Sequence, residues 1–460
     1  MTPRGGQQRL LLPTLALLTT ITAVVSSLGA PLVPSIAAAY DVRLTTAQWS
    51  LTATLLTGAL ATPVVGRFAS GRLRRPTILA GLMVVTAGTA LAVVPSTYGV
   101  LVAGRAMQGV GMALLPLAIA VARDALDGER MSRAIALLSV TTVAGAGLGY
   151  PLTALVAEVG GLPAAYGLGT VLAAATLAMA WRHLPASDDA ASMRVDWAGA
   201  ALLSSGMLAV LLAVSEGEVW GWDSPITIGL GAAGAVLLLV FARWTLRSAT
   251  PLVDLRMAVL PGIAAPNLVA FVGGLGMYSL LTLAVVLVRA DEPGFGLGLP
   301  VIVAGLILVP YSVMSVLGNQ LARVVRTRLG PALLLPTGCL MFLGSTMLLA
   351  LAHDRLWQLL LAMAIGGVGS GFTFSSLAVL MVPHVPQPET GSAMAFNQVL
   401  RYLGFTIGSA LSVALVAAYG GGDRGFRATL LTVSSIFALA AAGAVVLDRR
   451  TARQTASIQP

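Results

Sequence analysis

The chain has 460 residues, 57% of them hydrophobic and 10% charged, against about 25% charge in a soluble globular chain. Too few polar side chains remain to coat a water-facing surface, which excludes a large soluble protein and points to a membrane-embedded one. The net charge of +9 comes entirely from arginine, the chain having no lysine, and it is dispersed in short clusters between apolar runs. That distribution suits membrane topology and excludes a continuous phosphate-binding face, so no nucleic-acid partner is expected.

Backbone groups in hydrocarbon must be satisfied internally, by helices or a closed barrel. The apolar runs are continuous and about 20 residues long, the length a spanning helix needs. In chain order they predict helices near 11–37, 48–69, 76–95, 98–122, 133–157 and 162–181. A polar stretch follows, then helices near 197–215 and 226–246. The last six fall near 258–288, 300–325, 330–352, 355–382, 390–419 and 425–447, for fourteen in all. Arg4 and Arg9 precede the first run and Ala37-Ala38-Ala39 loosely resembles a cleavage site, but the run is long for a signal peptide and reads as a retained helix.

Charge tests this topology. With the N-terminus inside, only Arg43, Arg289, Arg355, Arg424 and Arg427 fall outside, Arg105 and Arg401 fall within helices, and the remaining 20 arginines fall inside. That is the bias of the positive-inside rule, and it places both termini in the cytoplasm of a multi-pass cell-membrane protein. The layout reads as an N-terminal six-helix bundle over 1–181, a cytoplasmic linker with inserted helices 7 and 8 over 182–257, and a C-terminal six-helix bundle with a short tail over 258–460. The expected fold is therefore an all-α integral membrane protein, two six-helix bundles plus two inserted helices, working as a monomer in the lipid bilayer. Cys339 stands alone, and His183, His353 and His384 lie near helix ends with no metal-ligand spacing, so no metal or cofactor is expected.

Several motifs sharpen this. Between predicted helices 2 and 3 runs Gly66-Arg67-Phe68-Ala69-Ser70-Gly71-Arg72-Leu73-Arg74-Arg75-Pro76. Helix 4 carries Arg105-Ala106-Met107-Gln108-Gly109-Val110-Gly111, and helix 5 carries Gly145-Ala146-Gly147-Leu148-Gly149-Tyr150-Pro151. Trp220-Gly221-Trp222-Asp223-Ser224-Pro225 follows helix 7, Pro251-Leu252-Val253-Asp254-Leu255-Arg256 precedes the last six helices, and helix 13 holds Asn397-Gln398-Val399-Leu400-Arg401-Tyr402-Leu403-Gly404. Together these resemble the major facilitator superfamily, and within it the fourteen-helix drug:proton antiporter branch. The first loop resembles the signature loop, with Gly66, Arg72, Arg74 and Arg75 in place, but Ser70 where the family has Asp and Leu73 where it has Gly. The segments around Arg105 and Gly109, and around Gly145, Gly149 and Pro151, resemble the family's fourth-helix motif and its fifth-helix antiporter motif. In the latter, Tyr150 stands where the proline is usual.

The resemblance implies alternating access and export of drug-like or amphipathic small molecules, coupled to proton influx. Apolar Val25 occupies the position where this branch usually carries an intramembrane Asp, and none of the 18 acidic residues falls near mid-membrane. Coupling usually needs a buried carboxylate, and buried acids also select cations. The candidates for proton coupling are therefore Glu158, at the outer end of helix 5, and Arg105. Polar and aromatic residues deep in apolar helices form the candidate substrate-facing set: Ser26, Ser27, Gln108, Asn267, Tyr278, Tyr311, Asn397, Gln398 and Arg401. With Arg105, Arg401 would make such a site mildly positive and favour neutral or anionic substrates. An uncoupled uniporter and a transporter-like receptor or scaffold stay open as alternatives. No cluster of catalytic residues suggests an enzyme, and no P-loop pattern suggests an ATP-driven pump.

Overall fold

A computed structural model describes residues 5–456, apart from 29–31, 43, 48, 70, 95, 187–195, 249–250, 252–253, 261 and 292–293. Every described regular element is helical. The long helices are α1 (Gly5–Ser27), α2 (Trp49–Phe68), α3 (Arg74–Val93), α4 (Tyr98–Gly109), α5 (Leu114–Ala125), α6 (Gly128–His183) and α7 (Trp197–Trp220). They continue as α8 (Pro225–Thr245), α9 (Ala264–Arg289), α10 (Leu308–Leu329), α11 (Leu334–Leu351), α12 (Leu356–Met381), α13 (Thr390–Ala418) and α14 (Gly422–Ala456). Among the described residues, 11 helical segments are long and apolar enough to cross a membrane. Predicted helices 1, 5 and 10 exist as helices, in α1, the first arm of α6 and α10, but lie outside that set.

Proline and glycine explain where the helices depart from the sequence expectation. The predicted first helix, 11–37, ends at Ser27, and a separate short helix, Val33–Ala39, starts with Pro34 in its first turn, where a missing N–H costs nothing. The predicted fourth helix is split by a 3₁₀ turn over Val110–Ala113 into α4 and α5. Pro116 lacks the N–H that would bond the Met112 carbonyl four residues back, and its ring crowds that group, so the chain tightens there. Pro310 acts in the same way on Leu306, where the predicted tenth helix breaks into Val301–Leu306 and α10. Predicted helices 5 and 6 run together as α6 and bend at Gly161, whose φ of 71° suits glycine.

Packing groups the chain into two compact units. One comprises Met1–Val210, Ala232–Leu255 and Pro386–Val399; the other comprises Leu211–Gly231, Arg256–Val385 and Leu400–Pro460. In the first unit, the Trp244 indole N–H of α8 reaches both carboxylate oxygens of Asp196, just before α7, at 3.1 and 3.0 Å. In the second, an apolar core gathers Leu280, Leu283 and Leu287 of α9, Leu349 of α11, Leu359 and Met363 of α12, and Phe426 and Leu430 of α14.

Candidate functional site

The first unit is organised around Arg105. Its side chain is fully buried on α4. Nε donates to the Ser50 carbonyl on α2 at 3.1 Å, and Nη1 donates to the Val25 carbonyl on α1 at 3.3 Å and to Gln108 Oε1 one turn along. Gln108, itself fully buried, passes the connection to the Gly88 carbonyl of α3 at 3.5 Å. Thr54 of α2 donates back to the Arg105 carbonyl at 3.0 Å, and Thr22 of α1 donates to the Gly111 carbonyl at 3.1 Å. One guanidinium thus ties four helices together. Val25, the position without the expected acid, still serves it, through a backbone carbonyl that any residue would offer.

Close backbone approach makes this network reachable. A Cβ on Gly109 would stand 2.3 Å from the Thr54 carbonyl oxygen, so only glycine lets α2 and α4 come this near. A Cβ on Gly145 would stand 2.8 Å from Ala23 Cβ, so the antiporter-like motif seats α6 against α1. Gly149 is buried and its carbonyl accepts from Thr153 at 2.7 Å. The side chains of Ser26, Ser27 and Pro151 lie outside the described residues, as does Ser70.

The signature-loop residues divide by role. Arg74 is buried, makes an ion pair with Asp124 at the end of α5, and donates from Nε to the Ala69 carbonyl at 3.3 Å. Arg75 Nη2 donates to the Trp181 carbonyl at 2.7 Å, whereas Arg72 is exposed. Asp124 also accepts from Gln387 Nε2 at 3.3 Å, and Arg123 donates to the Thr390 hydroxyl. A Cβ on Gly66 would meet Ala395 Cβ at 2.6 Å. The Pro386–Val399 segment is therefore held within the first unit by this loop and the end of α5.

The second unit holds an aromatic group around Arg401. The Arg401 guanidinium lies over the Phe374 ring, 5.2 Å from its centroid. Phe405, one turn further along α13, stacks on Tyr278 of α9 at 4.5 Å and meets Phe374 and Tyr402 edge-on at 6.3 and 5.8 Å. Gly404 and Gly408 bring α13 onto α9, since a Cβ on either would stand 2.2 or 2.1 Å from the Phe271 or Leu275 carbonyl oxygen. Arg401, Tyr278 and Phe405 are only partly buried. A guanidinium turned to hydrocarbon would cost at least about 2.5–3.5 kcal/mol, and the Phe374 face covers this one on one side.

The remaining candidates separate. Asn267 does not lie deep in its helix: α9 starts at Ala264, after a turn with Gly262 at φ 84°, and Asn267 sits in the first turn. Its Nδ2 donates to the Ala258 carbonyl at 3.1 Å, closing the turn that enters α9. Tyr311 is buried in the apolar core with Leu280 and Met363, apart from the Arg401 group. Asn397 and Gln398 are buried and pack with the first unit, whereas Arg401, three residues on, belongs to the second. Glu158 is exposed, three residues before the Gly161 bend. Sequence reasoning missed Asp124, which needs Arg74 brought to it, and the pair of His353 and Asp423, which meet at 2.7 Å although 70 residues apart. Phe374 and Phe405 were equally hidden, since an aromatic residue in an apolar run carries no signal of its own.

An all-helical, multi-pass membrane protein with arginines and amides placed inside its helix packing has the makings of a transporter. The Major Facilitator Superfamily profile matches residues 15–299 and 267–459, and the chain belongs to that superfamily, whose members are transporters. It is 26% identical over 352 residues to Multidrug resistance protein 3 of Bacillus subtilis (strain 168), covering 75% of this chain and 67% of that protein. It is 25% identical over 352 residues to Multidrug resistance protein Stp of Mycobacterium tuberculosis (strain CDC 1551 / Oshkosh), covering 75% of this chain and 64% of the relative. The chain thus spans about two thirds of the length of these relatives. Among solved structures, the human organic anion transporter MFSD10 (TETRAN) superposes with a TM-score of 0.67 at 15% identity, over 94% of this chain and 98% of that one, which shows a shared fold.

Proposed function

We propose that the protein is a secondary transporter that exports drug-like or amphipathic small molecules by alternating access, coupled to proton influx. It would cross the cell membrane fourteen times as a monomer, with both termini cytoplasmic: the 11 apolar segments plus α1, the first arm of α6 and α10. Relatives named as multidrug resistance proteins support the export reading. The observation that carries the substrate side is the Arg401 group: a guanidinium lying over the Phe374 ring, with Phe405 stacked on Tyr278 beside it. Aromatic faces favour planar amphipaths and the guanidinium favours neutral or negatively charged ones. The solved neighbour described as an organic anion transporter is in keeping with that preference.

The test is flux in proteoliposomes with an imposed pH gradient, using a fluorescein-type anion and ethidium as probes. Gradient-driven movement of the anion that is lost in Arg401→Ala is the expected result. Movement of neither probe, or a preference for ethidium that survives the substitution, overturns the substrate side. A second reading is an uncoupled facilitator, favoured by Val25 at the family's acid position. It would show as anion flux that equilibrates whatever the gradient. Glu158→Gln belongs in the same experiment, because loss of gradient dependence there would return coupling to that exposed carboxylate.

A further inference from the structure

His353 lies in the Ala352–Arg355 connection between α11 and α12, and only 3% of its surface is exposed. Its Nδ1 is 2.9 Å from the Leu349 carbonyl oxygen, which can only accept, so Nδ1 carries a hydrogen. Its Nε2 is 2.7 Å from Asp423 Oδ1, on the first turn of α14. An ionised carboxylate also only accepts, so Nε2 needs a hydrogen as well, and the ring is an imidazolium. The other arrangement, a neutral ring accepting from a protonated Asp423, stores the same single proton one atom away.

The surroundings put that proton on the ring. Arg427 Nε, one turn along α14, donates to the same carboxylate at 3.0 and 2.9 Å, and a cation beside Asp423 favours its ionised form. Phe426 of α14 meets the His353 ring edge-on at 5.0 Å and packs against Phe295 at 5.2 Å, so the ring cannot swing away to find water. Asp354 and Arg355 follow His353 in the connection; its bonded partners are Asp423 from α14 and Leu349 from α11. Asp423 is the open member of the group, with 37% of its side chain exposed, and gives the proton its route to solvent.

We propose that His353 and Asp423 form a proton-binding site that clamps the α11–α12 connection to the start of α14 while the proton is bound. A neutral imidazole has one N–H and cannot serve both acceptors. Losing the proton either sets the Nε2 lone pair against the carboxylate or abandons the Leu349 carbonyl in an apolar core. Arg427 keeps Asp423 satisfied in either state, so the cost falls on the histidine side and the connection loosens. The clamp therefore holds while the ring keeps both hydrogens and opens when one is lost. The site lies at the end of these helices that the proposed orientation places outside, together with Arg355, Arg424 and Arg427. Its exposure to external pH rests on the orientation proposed above; its binding of a proton does not.

The full chain holds three histidines, His183, His353 and His384, so ¹⁵N-histidine labelling in nanodiscs resolves them, with His353→Gln for assignment. The expected spectrum shows both His353 nitrogens protonated at pH 5.5, one proton lost on raising the pH, and a lower midpoint in Asp423→Asn. A single neutral tautomer throughout pH 5 to 8 in wild type overturns the site. Amide protection near residues 352–356 and 422–426 should fall about tenfold between those limits relative to His353→Gln, the worth of one net hydrogen bond. Equal pH dependence in both proteins overturns the clamp. In proteoliposomes of one orientation, a response to pH on the cytoplasmic side would keep the proton site and overturn the topology instead.

Discussion

Two arginines stand inside the helices of this protein, and they are used in opposite ways. Arg105 is wholly enclosed and spends its donors on the carbonyls of Ser50 and Val25 and the amide of Gln108. Arg401 is partly open and rests on the face of Phe374. A buried guanidinium meets the cost of leaving water only if rigid acceptors surround it, so the first belongs to the architecture. A cation laid on an aromatic plane shares that face with whatever packs beside it, which is why the second is the one proposed for a ligand. The same residue type inside a helix can be enclosed by carbonyls or laid on an aromatic face, and the neighbours decide which.

This contrast can be broken most sharply by deletion. Arg105→Ala takes the donor from the Val25 carbonyl and the Gln108 amide oxygen, while the Ser50 carbonyl keeps Thr54. At about 1–3 kcal/mol for each of the two, the loss should be at least about 2 kcal/mol. The expected outcome is a large drop in thermal unfolding temperature and poor recovery of folded protein. If Arg105→Ala instead folds normally and only transport fails, Arg105 is a ligand-facing residue after all.

Arg401→Ala should show the reverse. Stability should change by no more than about 1 kcal/mol, the worth of a partly exposed cation–π contact, while anion flux falls at least about tenfold. Arg401→Lys should recover part of the flux, keeping the charge but losing the planar stacking. Flux assays and unfolding curves on the same preparations separate the two effects.

The glycines beneath each arginine sharpen the comparison further. Gly109→Ala and Gly404→Ala each place a methyl group against a backbone carbonyl, at 2.3 and 2.2 Å, and backbone cannot yield as a side chain tip does. Each should cost about 1–3 kcal/mol by overpacking, measured by thermal unfolding. The smallest effect belongs to the signature loop. Arg72→Ala, at an exposed position, should stay within about 0.5 kcal/mol, whereas Arg74→Ala leaves Asp124 without its cation and should be plainly destabilising. Equal effects at the two positions would mean that the loop works by net charge alone.

Much of this was legible in the chain itself. The helical runs, the arginine asymmetry and the fourth-helix Arg105–Gln108 spacing all depend on neighbours within one or two turns, and those are visible in sequence. Pro116 and Pro310 are less telling: the predicted helices 98–122 and 300–325 run straight through them. Pro13 and Pro63 sit inside α1 and α2 without breaking them, so packing decides which proline interrupts a helix. The predicted helix 258–288 illustrates the limit: hydropathy runs smoothly through Gly262, so Asn267 looks deeply embedded when it actually closes the first turn.

Sequence alone determined that the protein is helical and membrane-embedded and that it resembles the superfamily to which it belongs, because hydrocarbon imposes length and composition on every segment separately. Tertiary structure alone decided which polar residues share a site. It set Arg401 over Phe374 from α12 and Phe405 against Tyr278 from α9, left Tyr311 in an apolar core, and joined His353 to Asp423. Those outcomes depend on which helix faces meet, and glycine contacts set that at distances where a single methyl group would forbid it.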